Sequence, residues 1–154
     1  MTTKRHRVWS GRSAPALLWA AGAALLLAGG CGGDDGAGVP PELEGGVLAT
    51  FEVEGERFRV WVTNPATIAD LEALRDGRST ANIPNGPLLA GPGTGGHNAP
   101  WSWHLDPEET EMAEATIEVC SGLPSFVEEN LSDWLALGRY CPWSARLESL
   151  EDFR

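Results

Sequence analysis

The chain has 154 residues, 42% of them hydrophobic, and its 22 acidic against 11 basic side chains give a net charge of −11. An acidic field of this size repels nucleic acid and anionic lipid headgroups and attracts cations or basic partners. The composition therefore excludes nucleic-acid binding, and the length suits a single domain behind a short leader.

The first thirty residues have the order of a secretory leader. Lys4, Arg5, Arg7 and Arg12 form a basic start, and a mostly apolar stretch over 14–27 follows. That stretch is shorter than the roughly 20 residues that span a bilayer, so residues 1–30 are predicted to be a signal peptide. Its removal leaves seven basic against 22 acidic side chains, a net charge of −15.

The leader ends in Leu-Leu-Leu-Ala-Gly-Gly-Cys at 25–31, which resembles a bacterial lipobox. In that motif the cysteine thiol receives a diacylglyceryl group, so we expect a palmitate-type lipid anchor on Cys31. Each buried methylene of such a chain contributes about 0.8 kcal/mol to membrane binding. The predicted location is the extracytoplasmic face of the bacterial cell envelope, with cleavage by an ordinary signal peptidase as the alternative.

Residues 31–46 have linker composition, rich in Gly, Pro and acidic residues, and are predicted to be a flexible stalk. With Cys31 lipidated, Cys120 and Cys141 are the two cysteines left. An even remainder in an oxidising compartment predicts a disulfide between them.

The first elements are predicted from alternation and capping signals. Apolar residues alternate over 47–53 and again over 58–62, with Glu54-Gly55-Glu56 between, which predicts a β-hairpin. Asn64-Pro65 is typical of a helix start, and Gly77 of its end. A short strand is predicted over 87–90, followed by a glycine-rich loop at 91–96.

The second half is predicted by the same patterns. Strands are expected over 101–105, with its tryptophans on one face, and over 112–120. A helix is expected from Pro124 to Gly138, and an edge strand over 145–150. The prediction for 47–154 is a single α+β domain, a mainly antiparallel sheet of about five to six strands with two helices packed on one face.

One hypothesis is a divalent-cation site, structural or hydrolytic. His104 and Asp106 lie two apart and would share one side of a strand, and Glu118 of the next strand could approach them. The competing interpretation is a structural histidine bonded to a backbone group, since HExxH and paired-cysteine spacings are absent. The acids at 106–109 lack the order of an EF-hand and are interpreted as a solvated turn.

The tryptophans suggest contact with a ligand. Trp103 and Trp134 have core periodicity, whereas Trp61 shares its side of the strand with arginines and is the best candidate for an exposed contact. Trp101 and His97 are further candidates. The sequence has no GxSxG elbow and no convergent catalytic set, so we expect no enzymatic activity and no cofactor apart from the divalent cation considered above.

The order of several short motifs resembles a family of small exported domains from bacteria and amoebae, sometimes labelled calmodulin-binding protein. The motifs are Pro-Trp-Ser-Trp-His-Leu-Asp-Pro at 100–107, Ile-Glu-Val-Cys at 117–120, Val-Glu at 127–128 and Cys-Pro-Trp-Ser at 141–144. The resemblance implies a fold and a disulfide rather than an activity. Calmodulin targets are basic amphipathic helices, so the label does not suit this acidic domain.

These observations favour a lipid-anchored, non-catalytic binding module that recognises an envelope protein or glycan through its sheet face or glycine-rich loop. One alternative is the cation site of His104, Asp106 and Glu118. A second alternative is a protease inhibitor that presents the loop 84–100, since loops on rigid scaffolds often carry binding functions.

Overall fold

A computed structural model describes residues 42–154. The predicted signal peptide, the lipidation site Cys31 and the stalk up to residue 41 lie outside the described residues. The described part contains seven strands in two sheets and three α-helices. Within it, no helix combines the length and the apolar character needed to cross a membrane.

The first sheet is built on the predicted hairpin, which is confirmed. Strands β1 (Val47–Val53) and β2 (Glu56–Val62) pair in antiparallel fashion. Glu54 and Gly55 both have positive φ, 51° and 96°, as a two-residue hairpin turn whose twist matches that of the strands requires. The predicted edge strand is β7 (Arg146–Asp152), which pairs with β1 and gives the order β2-β1-β7.

The helix that follows the hairpin also begins where the sequence predicts. Helix α1 covers Pro65–Arg75, and the side chain of Asn64 accepts a hydrogen bond from the Ala66 amide at 2.9 Å. Proline at the first helical position costs no hydrogen bond, because that amide has no partner in a helix. Gly77, at φ 70°, follows the end of the helix.

The second sheet is centred on one long strand. Strand β3 (Ile83–Ala90) is longer than the predicted strand over 87–90. Along its length it pairs in turn with β5 (Glu111–Ala113), β6 (Arg139–Tyr140) and β4 (Trp103–Leu105), always in antiparallel fashion. Three distant segments thus meet on a single strand.

The predicted strand over 112–120 is wrong beyond its start. Ala113 pairs with Ile83, which is the first residue of β3, so the chain after Ala113 has no continuing partner strand. Glu118–Cys120 instead forms one turn of 3₁₀ helix. The alternating apolar residues Ile117 and Val119 are consequently 67% and 59% exposed.

The predicted helix from Pro124 to Gly138 is two helices. Helices α2 (Pro124–Glu129) and α3 (Leu131–Leu137) are separated by Asn130, whose φ of −122° and ψ of 33° are not helical. The predicted end is confirmed, since Gly138 adopts the left-handed conformation at φ 76°.

One main core takes side chains from both sheets. The ring of Phe58 lies 5.6 Å from that of Phe51, 5.8 Å from Trp103 and 5.5 Å from Tyr140. Trp103 and Trp134 are buried, as predicted. The α+β class, the mainly antiparallel pairing and the disulfide are therefore confirmed, whereas the strands form two sheets and the helices number three.

Candidate functional site

Residues 91–102 connect β3 to β4, begin with the glycine-rich loop, and are docked on the hairpin. The side chain of Asn98 accepts a hydrogen bond from the Arg59 amide and donates one to the carbonyl of Trp103, both at 2.7 Å. Asn98 is 1% exposed, so its amide joins β2 to β4 in the interior. The indole of Trp101 donates to the carbonyl of Arg57 at 2.7 Å. Since Trp101 is half-buried and its polar atom is used in this bond, it secures the loop.

His97 is buried beneath this loop and is not an accessible contact, contrary to the prediction. It is 1% exposed, its Nδ1 donates to the carbonyl of Thr94 at 3.1 Å, and its Nε2 has no partner within the described residues. Burial lowers the pKa of His97 to about 4, against the opposing effect of the Thr94 bond. His97 therefore packs as a neutral ring at neutral pH.

Trp61 is also buried, which corrects its prediction as an exposed aromatic contact. It lies on the predicted side of β2, opposite Leu48 in the register. That side is covered by Leu43 and Phe153, and together these residues form a second, small core in which Trp61 is 4% exposed. The covering residues come from the two ends of the described part, which a single strand pattern does not reveal.

The proposed cation ligands have separate structural tasks. Nδ1 of His104 donates to the carbonyl of Gly91 at 2.8 Å, and the carboxylate of Asp106 accepts the backbone amides of Glu108 and Glu109. Glu118 lies in the 3₁₀ turn beside the disulfide. Within residues 42–154 no group of three or more His, Cys, Asp or Glu is arranged to hold a metal ion, so the structure does not bring this set together.

The segment 84–100, considered as an inhibitor loop, is largely structural. Its first part lies within β3, and His97 and Asn98 near its end are buried. A reactive loop must enter a protease cleft, whereas this segment supplies hydrogen bonds to its own domain.

A groove of about 440 Å³ runs along β7 beside the end of α1. Two of its lining residues are joined by a hydrogen bond from the Asn82 side chain to the carbonyl of Ala145 at 2.8 Å. Arg146, on its wall, is paired with Glu52. Four of the seven residues of β7 are charged, which is typical of an edge strand protected against pairing, so this groove is a weaker candidate for binding.

The exposed apolar side chains gather elsewhere, around the disulfide. Six large hydrophobic residues are exposed in the described part, and all but Leu89 lie between 117 and 143. We call the five the disulfide patch: Ile117 (67% exposed), Val119 (59%), Phe126 (53%), Leu137 (42%) and Trp143 (42%). Because exposed apolar side chains are concentrated there, the disulfide patch is the candidate interaction surface of the described part.

The members of the disulfide patch are neighbours. Val119 and Leu137 line one shallow depression of about 120 Å³, together with Trp134 and Asp133. The ring of Phe126 stands edge-on to Trp134 at 6.3 Å. Trp143 lines a second depression of about 260 Å³, together with Ala115 and Thr116. Residues of the patch thus contribute to two separate depressions.

The disulfide holds this surface in place. Cys120 and Cys141 are bonded, as predicted, with their Cα atoms 5.1 Å apart. The indole Nε1 of Trp143 donates to the hydroxyl of Thr116 at 2.5 Å, and its backbone amide donates to the Ser121 hydroxyl at 3.2 Å. Trp143 is therefore exposed and fixed, which lowers the entropy cost of a contact through it.

Carboxylates surround the disulfide patch. Between residues 114 and 143 the sequence holds five acidic residues and one basic residue, Arg139. The guanidinium of Arg139 is bound to Asn85 and Glu111, outside the patch. Asp133 lines the smaller depression and Glu114 the larger one. The surface is thus apolar with an acidic border.

The sequence patterns do not reveal the disulfide patch. Ile117 and Val119 alternate as residues on one face of a strand do, and Phe126 lies at a position expected on the apolar face of a helix. The one local signal against a long strand is Gly122-Leu123-Pro124, which begins two residues after the predicted strand ends. The patch is recognisable only once the partners of β3 are known.

A small disulfide-linked α+β domain with an acid-bordered apolar surface is the class of protein that this geometry defines. A family model described as the BP-74 N-terminal domain matches residues 46–153. The chain belongs to this family, and the matched part includes all seven strands and all three helices. Neither the comparison with curated proteins nor that with solved structures gave a match.

Proposed function

We propose that this chain is a lipid-anchored, non-catalytic binding module on the extracytoplasmic face of the bacterial envelope, and that it presents the disulfide patch to a partner in the envelope. The interface is then the surface around Cys120–Cys141. The other two surfaces that the sequence favours are less available at particular points: Leu43 and Phe153 cover the Trp61 side of β2, and Asn98 fixes the glycine-rich loop to the hairpin.

The observation that supports this proposal most strongly is that exposed apolar side chains are concentrated around the Cys120–Cys141 disulfide. Burial of apolar surface contributes about 25 cal/mol per Å² to association, so a folded domain rarely leaves several such side chains together in water without a use for them. Five of the six exposed large hydrophobic residues of the described part lie in this one region.

Two features support the proposed location. The sequence at 25–31 resembles a lipobox, and the domain holds a disulfide, which persists mainly in oxidising compartments. The stalk composition of 31–46 would give the domain freedom to reach a partner above the membrane.

The binding role is tested by crosslinking in living bacteria that carry the full chain. A photoreactive amino acid is placed at Val119 or at Trp143, and at Leu89 as the matched control, since Leu89 is an exposed apolar residue outside the disulfide patch. We expect a discrete crosslinked species from the two patch positions and none from Leu89. Equal crosslinking at all three, or none at any, would reject the proposal.

The anchoring is tested separately by mass spectrometry of the envelope fraction. We expect a diacylglyceryl adduct on Cys31 and loss of membrane association in the Cys31→Ser chain. An unmodified thiol at that position in membrane-bound protein would exclude the lipid anchor while leaving the binding surface intact.

A further inference from the structure

We infer that the disulfide patch accepts a cationic amphipathic segment of a partner protein, whose apolar side chains cover the depressions while its Lys or Arg side chains pair with the bordering carboxylates. This inference rests on the proposed binding role and names the chemistry of the partner.

The two depressions would receive the apolar side chains of the partner segment. The smaller is formed by Val119, Trp134 and Leu137, and the larger by Ile83, Ala115 and Trp143. Val119 of the 3₁₀ turn lines the smaller depression, and Ala115, which precedes the turn in the chain, lines the larger one. Two separated apolar recesses suit side chains that project from one face of a folded segment better than they suit a single small ligand.

The carboxylates beside the depressions would pair with the Lys or Arg side chains of the partner segment. Each depression has one acid in its lining, Asp133 in the smaller and Glu114 in the larger, and Glu118 is the first residue of the 3₁₀ turn that contains Val119. Within the described residues, Glu118 and Asp133 have no hydrogen-bonding or ion-pair partner for their side chains. Glu114 accepts a hydrogen bond from the hydroxyl of Thr80 and is not paired with a cation within the described residues. A cationic side chain placed beside an apolar anchor would therefore meet a carboxylate that has no cationic partner.

The negative charge around the disulfide patch disfavours binding of an anionic lipid headgroup or a neutral glycan. The only cation between 114 and 143, Arg139, is engaged by Asn85 and Glu111, so nothing in the border attracts an anionic headgroup. A neutral glycan would leave the carboxylates without cationic partners. Opposite charge across an interface also accelerates encounter and excludes partners of like charge.

The test uses the full lipidated chain in phosphatidylcholine nanodiscs, with empty nanodiscs as the reference. Two synthetic helical peptides with the same leucines, one with lysine and one with glutamate at every polar position, are titrated by calorimetry. We expect the lysine peptide to bind at least tenfold more tightly than the glutamate peptide, and its affinity to fall as salt is raised.

Matched variants locate the effect. Glu118→Gln combined with Asp133→Asn should weaken the lysine peptide at least fivefold, and Val119→Ser should weaken it similarly. Glu151→Gln, which removes an exposed acid on β7, and Leu89→Ser should leave the affinity unchanged. Circular dichroism of every variant verifies folding.

The outcomes separate this inference from the proposed function. Equal affinity for both peptides, no binding of either, or an unchanged affinity in the two patch variants overturns the cationic partner. Quenching of Trp143 fluorescence by brominated lipids without peptide, absent in Trp143→Phe, overturns it in favour of contact with the bilayer. If the crosslinked species persists while the lysine peptide fails to bind, only the partner chemistry is wrong. If both fail, the binding role is also rejected.

Discussion

Besides the shared apolar core, buried polar side chains connect the two sheets. Asn98 is the clearest case, because it accepts from the Arg59 amide on β2 and donates to the Trp103 carbonyl on β4. Strands β2 and β4 are therefore connected through the side-chain amide of Asn98, which binds one backbone group on each strand. The same residue fixes the glycine-rich loop against the hairpin.

Asn98→Ala is expected to destabilise the domain by about 2–6 kcal/mol. The substitution leaves a buried amide and a buried carbonyl unpaired, and each such group costs about 1–3 kcal/mol. Urea unfolding of the variant against the native chain measures the loss. Asn130→Ala is the matched control, since its side chain makes only an exposed bond to the carbonyl of Phe126, and it should lose below about 1 kcal/mol.

His97 is expected to make stability depend on pH in the acid range. Its pKa in the folded protein is about 4, below the ordinary value of 6.5. A lowered pKa means that the unfolded chain binds the proton more readily, so the stabilisation is complete above pH 6.5 and is lost as the pH falls toward 4. From pH 7 to pH 4 this amounts to about 3 kcal/mol.

The pH effect is measured by urea unfolding at pH 7, 5.5 and 4 in the native chain and in His97→Gln. The variant should have the shallower dependence, because the carboxylates contribute equally to both chains. Asn130→Ala, which removes an exposed side chain that carries no ionisable group, is the control and should keep the steep dependence. A His97→Gln chain with the native pH profile would contradict the assignment.

At the scale of the element, local signals are sufficient for the hairpin and for α1. The positive φ values of Glu54 and Gly55 and the cap at Asn64 depend on residues that are adjacent in the sequence. The segment 112–120 shows the opposite case. Its alternation is typical of a strand, yet it leaves the sheet after Ala113 because β3 begins at Ile83 and offers nothing further to pair with.

Asn64→Ala is expected to cost about 1 kcal/mol, the usual effect of removing a helix cap. The side chain of Asn64 also donates to the carbonyl of Glu108 at 2.9 Å, so it ties the start of α1 to the acidic turn. Asn64→Asp keeps the capping oxygen but removes this donor. Thermal unfolding of the two variants therefore separates the contribution of the helix cap from that of the hydrogen bond to Glu108. An unchanged unfolding midpoint in Asn64→Ala would show that neither contributes to stability.

At the scale of the whole molecule, the disulfide links the 3₁₀ turn to the segment after β6. The separation of 21 residues between its cysteines predicts a stabilisation of about 3 kcal/mol in the entropy model. We expect Cys120→Ser with Cys141→Ser to lose stability of that order, measured by denaturant unfolding against the oxidised chain.

The same double variant tests whether the disulfide is needed to hold the residues of the disulfide patch in place. Trp143 is held by Thr116 and Ser121, and both lie in the part of the chain that the disulfide fixes. The double variant should therefore lose the Val119 crosslink under conditions where circular dichroism reports a folded domain. Full retention of that crosslink would mean that the patch does not need the covalent link.

The candidate site is less predictable than the fold, for a reason visible in single residues. The alternation places Trp61 correctly on its strand, but its exposure depends on Leu43 and Phe153, which lie far from it along the chain. His97 is buried because the loop closes over it through Asn98. Periodicity tells which side of an element a residue occupies, whereas burial depends on what covers that side.

The sequence alone determined the hairpin, the start of α1, the α+β class and the pairing of Cys120 with Cys141. These features follow from neighbouring residues or from counting, so they need no knowledge of distant contacts. Tertiary structure decided which apolar side chains remain in water, and it gathered Ile117, Val119 and Trp143 around the disulfide. Exposure is a property of the packed molecule, because each surface is covered or left open by segments that meet it only on folding.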